Sequence, residues 1–238
     1  MLDIYIWVLK MIIGLFIKHI KAYKGINFIP IGSKYKFVTY IGENGAGKSS
    51  ILESLDSFFN EKTYSINKSA LSDGISTVGN EPFVTPVFLI EKSKVTRQKK
   101  EFEKLSSFFW NVDKKSINST VAASMNGFFD LRNDLQKDDS CSSETHFLIL
   151  AGESNLQSAA PKLHFASFHA EEHLAYHILA DTDGIDAAIR KEKFNKTLES
   201  NDWKKFLTAL KSIYSYVYFP VEIEMESFTK IETTEMQK

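Results

Sequence analysis

The residues best suited to chemistry lie in one glycine-rich stretch, I-G-E-N-G-A-G-K-S-S, at positions 41–50. This stretch matches the pattern G-x-x-x-x-G-K-[ST], which forms a phosphate-binding loop between a strand and a helix. Glycines let successive backbone N–H groups approach a triphosphate closely. The pattern therefore predicts that Lys48 binds the β- and γ-phosphates of a nucleotide and that the Ser49 hydroxyl binds Mg²⁺. The candidate nucleotide-binding residues of the loop are Gly42, Glu43, Asn44, Gly45, Ala46, Gly47, Lys48, Ser49 and Ser50.

The segments on either side of the loop have the periodicities that such a loop requires. Before it, a β-branched and aromatic run predicts a buried strand. After it, apolar residues at helical spacing predict a helix that begins within the motif and buries one face. The alternative is a glycine-rich turn before an ordinary helix. The strand residues are Tyr35, Phe37, Val38, Tyr40 and Ile41, and the helix residues are Ile51, Leu52, Leu55, Phe58 and Phe59.

The loop and the segment before it resemble one family. Asn44 within G-E-N-G-A-G-K-S-S resembles the loop of ABC-type ATPases rather than that of small GTPases or kinases. The preceding I-K-H-I-K-A-Y-K, residues 17–24, is similar to the N-terminus of the SMC, RecF and OLD group of these ATPases. The resemblance extends over residues 11–59. It implies an α/β fold of the P-loop NTPase class, namely the N-terminal lobe of an ABC-type ATPase head, with ATP and Mg²⁺ as cofactors. It also implies that Tyr23 and Lys24 lie near the adenine and ribose.

The same resemblance implies a further metal contact and several partners. ABC-type heads place a glutamine that contacts Mg²⁺ and water after a strand that follows the loop helix, and Gln98 stands in such a position. Their heads pair around ATP, so a second copy of the chain is an expected partner. Relatives among OLD-like, Septu-type and retron-associated ATPases imply a sensor that controls an effector nuclease, for instance an HNH-type subunit, in bacterial anti-phage defence. DNA is a further expected ligand. The alternatives are a DNA-repair or chromosome-organising ATPase and a non-hydrolysing, nucleotide-gated scaffold.

Composition limits the classes of partner and compartment. A chain of 238 residues with 43% hydrophobic residues suits one large domain or two small ones. Its formal net charge of -1 gives no argument for a nucleic-acid partner. Cys141 is the single cysteine, which excludes an internal disulfide and a cysteine-based zinc site and fits a reducing cytoplasm. Asp3 and Lys10 interrupt the apolar first 17 residues, so we expect a buried strand there rather than a membrane anchor or an upstream extension.

Hydrophobic periodicity predicts two units along the chain. Residues 1–100 are expected to form the P-loop nucleotide-binding core lobe, and residues 101–238 a mainly helical lobe or arm. Pro86 is expected at the edge or start of its strand. The remaining expected elements are strands within residues 12–41, 84–91, 146–151 and 216–225, helices within residues 102–136, 165–180 and 186–217, and a surface connection at residues 60–80.

Two other groups of residues compete for a functional assignment. His169 and His173 form H-x-x-E-H, the inverted zinc-peptidase pattern, and His177 extends the row if the segment is helical. We favour a partly solvated helix face over zinc chemistry. The basic run at residues 91–103 is interpreted as a solvated face rather than a DNA contact. The alternating Glu222, Glu224 and Glu226 are interpreted in the same way, as residues that face solvent.

The residues that an ABC-type head needs for hydrolysis are not found in this sequence. Hydrolysis requires an Asp after an apolar strand and usually a following Glu, but the apolar stretch at residues 147–153 lacks the Asp. Residues 141–144 lack the glycine of a signature sequence. We therefore expect this chain to bind nucleotide with little turnover. The simplest interpretation is an N-terminal lobe whose C-terminal half is lost, separately encoded or outside this sequence.

Overall fold

A computed structural model describes residues 12–31, 38–63, 65–71, 80–117, 122–138, 141–154, 162–179 and 184–218. Within these residues the chain is α/β, with a mostly antiparallel sheet in the order β2-β1-β3-β5-β6 and β4 also paired with β3. The strands are β1 (Ile12–Lys18), β2 (Ile26–Pro30), β3 (Phe83–Glu91), β4 (His146–Leu150), β5 (Gly152–Ser154) and β6 (Lys162–His164). The helices are α1 (Lys48–Asn60), α2 (Lys68–Leu71), α3 (Lys99–Asn111), α4 (Asn126–Gln136), α5 (Glu172–Ile178), α6 (Ala187–Leu198) and α7 (Asn201–Ser212).

β1 and β2 form an antiparallel hairpin, which confirms the strands predicted at the start of residues 12–41. β1 carries the apolar run I-I-G-L-F-I and is buried from its second residue onward. Phe16 pairs with Phe28 across the hairpin, and their ring centroids are 4.8 Å apart. A Cβ added at Gly14 would lie 2.8 Å from the Phe28 ring, so only glycine allows this close packing.

Pro86 lies in the middle of the central strand, which corrects the prediction that it marks a strand edge or start. β3 pairs with β1 along one side and with β4 and β5 along the other. The registers of β4 and β5 on β3 are continuous, and Ala151 between them stands opposite Pro86. Proline has no backbone N–H to donate to the ladder. The pairing is therefore interrupted at this position, and one long strand is divided into β4 and β5.

The apolar strand predicted at residues 146–151 is confirmed as β4. It belongs to the predicted helical unit, yet it pairs with β3 of the predicted core unit from Val87↔Leu150 to Glu91↔His146. Buried apolar side chains from both predicted units belong to one cluster. The sheet and the core are therefore shared across the division expected near residue 100.

The helices predicted in the second half are confirmed with interruptions. The segment at residues 102–136 contains α3, which packs on β4, and α4, which packs on β2. The segment at 165–180 begins with a 3₁₀ helix, Ala166–Ala170, and continues as α5. The segment at 186–217 is divided into α6 and α7, because Ser200 is extended before α7 begins. Edge-to-face ring contacts join these helices in the core through Phe102, Phe108, Phe109, Phe128, Phe168 and Phe206.

The predicted row of histidines on one helix face is wrong. His169 lies in the 3₁₀ helix, and its ring stacks on that of His164 with centroids 4.4 Å apart. α5 begins only at Glu172, so His169 and His173 do not share a helix. Within the described ranges, no three His, Cys, Asp or Glu side chains come together as metal ligands. The H-x-x-E-H pattern thus fails here because its first histidine is turned into the core.

Three further predictions concern irregular or partly described segments. The connection at residues 60–80 contains α2 and an antiparallel bridge between Ile20 and Ile66. No strand is formed at residues 216–218, and the rest of the strand expected there, with its glutamates, lies outside the described residues. Asp3 and Lys10 also lie outside them. In the part of the chain that the structure describes, no helix is long and apolar enough to cross a membrane.

Candidate phosphate-binding site

The glycine-rich stretch forms a turn that leads directly into α1, as the sequence predicts. Gly45 and Gly47 have φ angles of 83° and 92°. This left-handed conformation costs a residue with a side chain about 1–3 kcal/mol. The N–H group of Ala46 donates to the carbonyl of Glu43 over 3.2 Å and closes the turn. The backbone of the loop therefore favours glycine at these two positions.

The first turn of α1 is open to an anion. Its N-cap is Gly47, so no side chain caps the helix, and its first turn contains no acidic residue. Unpaired N–H groups and the positive end of the helix dipole attract phosphate oxygens. Residues 42–46 and Ser49 are exposed, so a ligand in solution has access to these groups.

The ammonium group of Lys48 lies inside the loop. Its Nζ atom donates to the carbonyl oxygens of Gly42 and Glu43, over 2.5 and 2.6 Å. A phosphate oxygen forms a stronger, charge-assisted hydrogen bond with a lysine than a neutral carbonyl does. We therefore expect the ammonium group to exchange these carbonyls for phosphate when a nucleotide is bound.

The core holds α1 from the side opposite to solvent. Ile51, Leu55 and Phe58 are buried at helical spacing, as predicted, whereas Leu52 is 42% exposed. The rings of Phe58 and its neighbour Phe59 pack against Phe88 of β3, with centroids 6.1 and 6.4 Å away. The second half of α1 is therefore anchored on the sheet, while its first turn carries the loop.

The strand predicted before the loop is not formed in the described residues of that segment, which corrects the prediction for Val38 to Ile41. A strand needs a neighbour that satisfies its backbone N–H and C=O groups. None of β1 to β6 pairs with residues 38–43, and Ile41 is 92% exposed. Tyr40 is partly buried against the core, and burial, followed by the nearby Tyr23, raises the pKa of its hydroxyl. Tyr35 and Phe37 lie outside the described residues.

The turn between β1 and β2 carries Tyr23 to the loop. His19 and Lys21 both have positive φ, at 56° and 47°, so the chain reverses sharply after β1. The N–H group of Gly25 donates to Nδ1 of His19 over 3.3 Å. Nδ2 of Asn67 donates to the Lys21 carbonyl over 2.5 Å. These bonds fix the turn, and with it the position of Tyr23.

Tyr23 packs against the glycine-rich loop at Gly47. Its hydroxyl donates to the Gly47 carbonyl over a long 3.4 Å. Burial raises the pKa of this hydroxyl, so it stays protonated and able to donate at neutral pH. Lys24 is exposed beside it. Contact of Tyr23 or Lys24 with an adenine or ribose stays a prediction.

We expect Gly47→Ala to weaken nucleotide binding more than Gly45→Ala. Both positions have positive φ, which costs alanine about 1–2 kcal/mol. Only at Gly47 would the new methyl group press on Tyr23, whose ring would lie 3.1 Å from the added Cβ. No described atom lies within 4 Å of a Cβ added at Gly45. Calorimetric titration with a non-hydrolysable ATP analogue compares the two variants. Equal losses would mean that the Tyr23 contact does not affect binding.

The two predicted Mg²⁺ contacts lie at the starts of two different helices. Ser49 is exposed in the first turn of α1. Gln98 is the N-cap residue of α3, with φ 54°. A role for Ser49 or Gln98 as a metal contact stays a prediction.

Tyr216 also belongs to the surroundings of α1, which it reaches from 164 positions away, and the sequence did not predict this. Its hydroxyl donates to the carbonyl of Leu52 over 2.7 Å. Tyr214 and Tyr216 stand two positions apart, and extended residues two apart face the same way. That spacing is the signal that could have predicted two rings on one face of the chain, but it does not indicate what they contact.

No protein-family model matches this chain, and no curated protein sequence matches it. A function for the chain therefore rests on the sequence and geometry of its own loop and of the residues around that loop.

Proposed function

We propose that this chain is the ATP-binding lobe of an ABC-type ATPase of the SMC, RecF and OLD group, with a P-loop NTPase fold. The observation that carries the proposal is the loop at residues 42–49, which encloses the ammonium group of Lys48 and continues into an uncapped helix. The resemblance of residues 11–59 supports the choice of group.

In this proposal each part of the loop has one task. The backbone N–H groups from Gly45 to Lys48 bind phosphate oxygens, and Nζ of Lys48 neutralises the β- and γ-phosphates. The hydroxyl of Ser49 would hold Mg²⁺, which when bound would supply positive charge to neutralise the phosphates. Tyr23 and Lys24, next to the loop, are the proposed contacts of the base and ribose.

We propose that hydrolysis needs residues from a second lobe. The acid closest to the expected position, Glu153 on β5, binds the ammonium group of Lys211 over 2.8 Å and is therefore engaged within the core. Val38 and Ile41, just before the loop, are exposed apolar residues. We propose that a strand of the second lobe pairs with the segment that contains them. The same family resemblance supports a second copy of the chain as a partner that pairs with the first around ATP.

The proposal is tested by calorimetric titration of the purified chain with Mg-ATP and with a non-hydrolysable analogue, followed by a phosphate-release assay. We expect saturable binding of both ligands, weakened when Mg²⁺ is chelated, and almost no phosphate release, because no residue of the chain is assigned to orient the attacking water. Absence of binding would overturn the proposed function. Sustained phosphate release would show that a catalytic acid is present in this chain.

The biological role proposed for this lobe is control of an effector nuclease in anti-phage defence, which only the family resemblance supports. DNA repair is the competing role. The net charge of -1 favours neither role, because it gives no argument for nucleic-acid binding by the chain as a whole. A cellular test with a Lys48 variant separates the two roles.

A further inference from the structure

The segment that follows α7 lies across α1. The ring of Tyr214 packs against Phe59 and Phe88, with centroids 5.6 and 5.1 Å apart. The ring of Tyr216 stacks on Phe59 at 5.5 Å, with the two planes inclined by only 18°. Nδ2 of Asn60 donates to the Tyr216 carbonyl over 3.4 Å. Residues 214–218, here called the tyrosine segment, are therefore held on α1 by rings and by hydrogen bonds.

The end of α7 is itself fixed beneath α1. Lys211 donates to Glu153 of β5 over 2.8 Å, and both side chains are 15% exposed. Its ammonium group also lies 4.9 Å from the centroid of the Phe58 ring. A partly buried ion pair resists separation, because separating it would leave each charge without its partner and away from water. The tyrosine segment thus starts from a fixed point on the sheet before it crosses the helix.

Two tyrosine hydroxyls reach backbone carbonyls at the loop end of α1. Tyr23 donates to the carbonyl of Gly47, and Tyr216 donates to that of Leu52, five residues further on. Burial, followed by nearby Asp56 and Tyr218, raises the pKa of the Tyr216 hydroxyl, so it remains a donor at neutral pH. The Tyr216 hydrogen bond is the shorter of the two, at 2.7 Å against 3.4 Å.

We infer that Tyr216 is a positioning residue for the phosphate-binding turn, and that it links occupancy of the loop to the tyrosine segment. This inference rests on the proposed function. Phosphate binding needs the first N–H groups of α1 at fixed positions relative to the loop, and fixing them in advance lowers the cost of ordering on binding. Tyr216 holds α1 just after that turn, at the carbonyl of Leu52.

The linkage acts in both directions. If Tyr216 stabilises the arrangement that binds nucleotide, bound nucleotide must stabilise the contact of Tyr216 with α1 by the same free energy. The tyrosine segment would then become more ordered when the loop is occupied. Two distinct measurements therefore report on one contact: the affinity for nucleotide, and the hydrogen exchange of backbone amides in residues 214–218.

The experiment compares the full chain with Tyr216→Phe, which removes the hydroxyl and keeps the ring on Phe59. Tyr176→Phe is the matched control, because Tyr176 lies on α5 with its ring over Arg190, 3.5 Å from the guanidinium. We expect Tyr216→Phe to weaken binding of a Mg-ATP analogue by about threefold to tenfold, the effect of one hydrogen bond. We expect Tyr176→Phe to bind as the parent does.

Hydrogen exchange supplies the readout that a merely structural role would not change. In the parent chain, the analogue should slow exchange in residues 214–218, and this protection should shrink in Tyr216→Phe. If the parent binds the analogue but Tyr216→Phe has the same affinity and the same protection, the inference about Tyr216 is overturned while the proposed function stands. If the parent binds no nucleotide, both are overturned.

Discussion

Replacing Lys48 by alanine is expected to weaken Mg-ATP binding by about 100-fold or more. Charge-assisted hydrogen bonds contribute about 1.5–3 kcal/mol each, and this ammonium group would supply at least one such bond to the β- and γ-phosphates. The loss of the bonds that Lys48 makes to Gly42 and Glu43 also frees the loop backbone. Calorimetric titration with a non-hydrolysable analogue measures the change in affinity.

A lysine far from the loop provides the control for this substitution. Lys137 is exposed just after α4 and pairs with Asp134 over 3.0 Å. Lys137→Ala removes the same charge from the chain, so it separates a local effect on phosphate from a general effect of net charge. Both variants should unfold near the parent's temperature, because each lysine side chain is in contact with solvent. Unchanged affinity in Lys48→Ala would exclude this loop as the nucleotide site.

The same substitution tests the biological role in cells that carry the intact locus. If the lobe controls a defence nuclease, Lys48→Ala should abolish resistance to phage, because the sensor can no longer respond to nucleotide. If the lobe belongs to a repair ATPase, the substitution should sensitise cells to DNA damage instead. No resistance in a broad phage panel, together with sensitivity to DNA damage, would lead us to abandon defence for repair.

The free energy of unfolding is expected to fall by about 2 kcal/mol between pH 7 and pH 5 because of buried His169, and to fall further because of buried His164. His164 is buried between Phe83 and His169, with ring centroids 4.3 and 4.4 Å away. The Nδ1 atoms of both histidines are buried without a hydrogen-bond partner among the described residues. A proton added to either ring would place a charge where no acceptor faces it.

The direction of the effect follows from the pKa of each histidine. Burial lowers the pKa of His169 to about 4, with Glu81 opposing the shift and Lys191 and Lys162 adding to it. Burial, followed by His169 and Lys18, lowers the pKa of His164 well below 6.5. Between these values and 6.5 the unfolded chain binds more protons than the folded chain. The stability that depends on keeping these two histidines neutral is therefore present above about pH 6.5, and it is lost as the pH falls below that value.

Urea denaturation at a series of pH values measures this dependence. His169→Phe keeps an aromatic ring in the stack but cannot be protonated, so it should make the curve less steep between pH 7 and pH 5, while His164 still contributes the rest of the slope. His173→Gln is the control, because His173 is exposed on α5 and its replacement should leave the slope unchanged. A parent chain whose free energy of unfolding is constant over this range would contradict the prediction.

Most secondary structure could be predicted because it depends on local pattern. The helical spacing of Ile51, Leu55 and Phe58 predicts α1, and the apolar run at residues 146–151 predicts β4. The prediction that Pro86 marks a strand edge or start was wrong. Proline is disfavoured in a strand that pairs on both sides, but the local sequence does not show which strands will lie beside Pro86. The prediction of a strand at Val38 to Ile41 was wrong for a related reason, since these described residues pair with no strand of the described sheet.

The histidine pattern shows how burial can defeat a motif. The two histidines of H-x-x-E-H would lie on one face only if the whole segment were a single helix. Packing against Phe194 and His164 instead turns His169 into the core, with centroids 5.7 and 4.4 Å away. The local sequence contains no sign of these contacts, because the rings belong to α6 and β6.

The sequence by itself determined the glycine-rich turn and the helix after it, since the glycine conformations, the lysine and the start of the helix are all set within residues 42–51. Only the tertiary structure decided what surrounds that loop. Tyr23 reaches Gly47 across 24 positions, and Tyr216 reaches Leu52 across 164. Such contacts depend on how the sheet and α7 bring distant segments together, which is a property of the packed core and not of any local spacing.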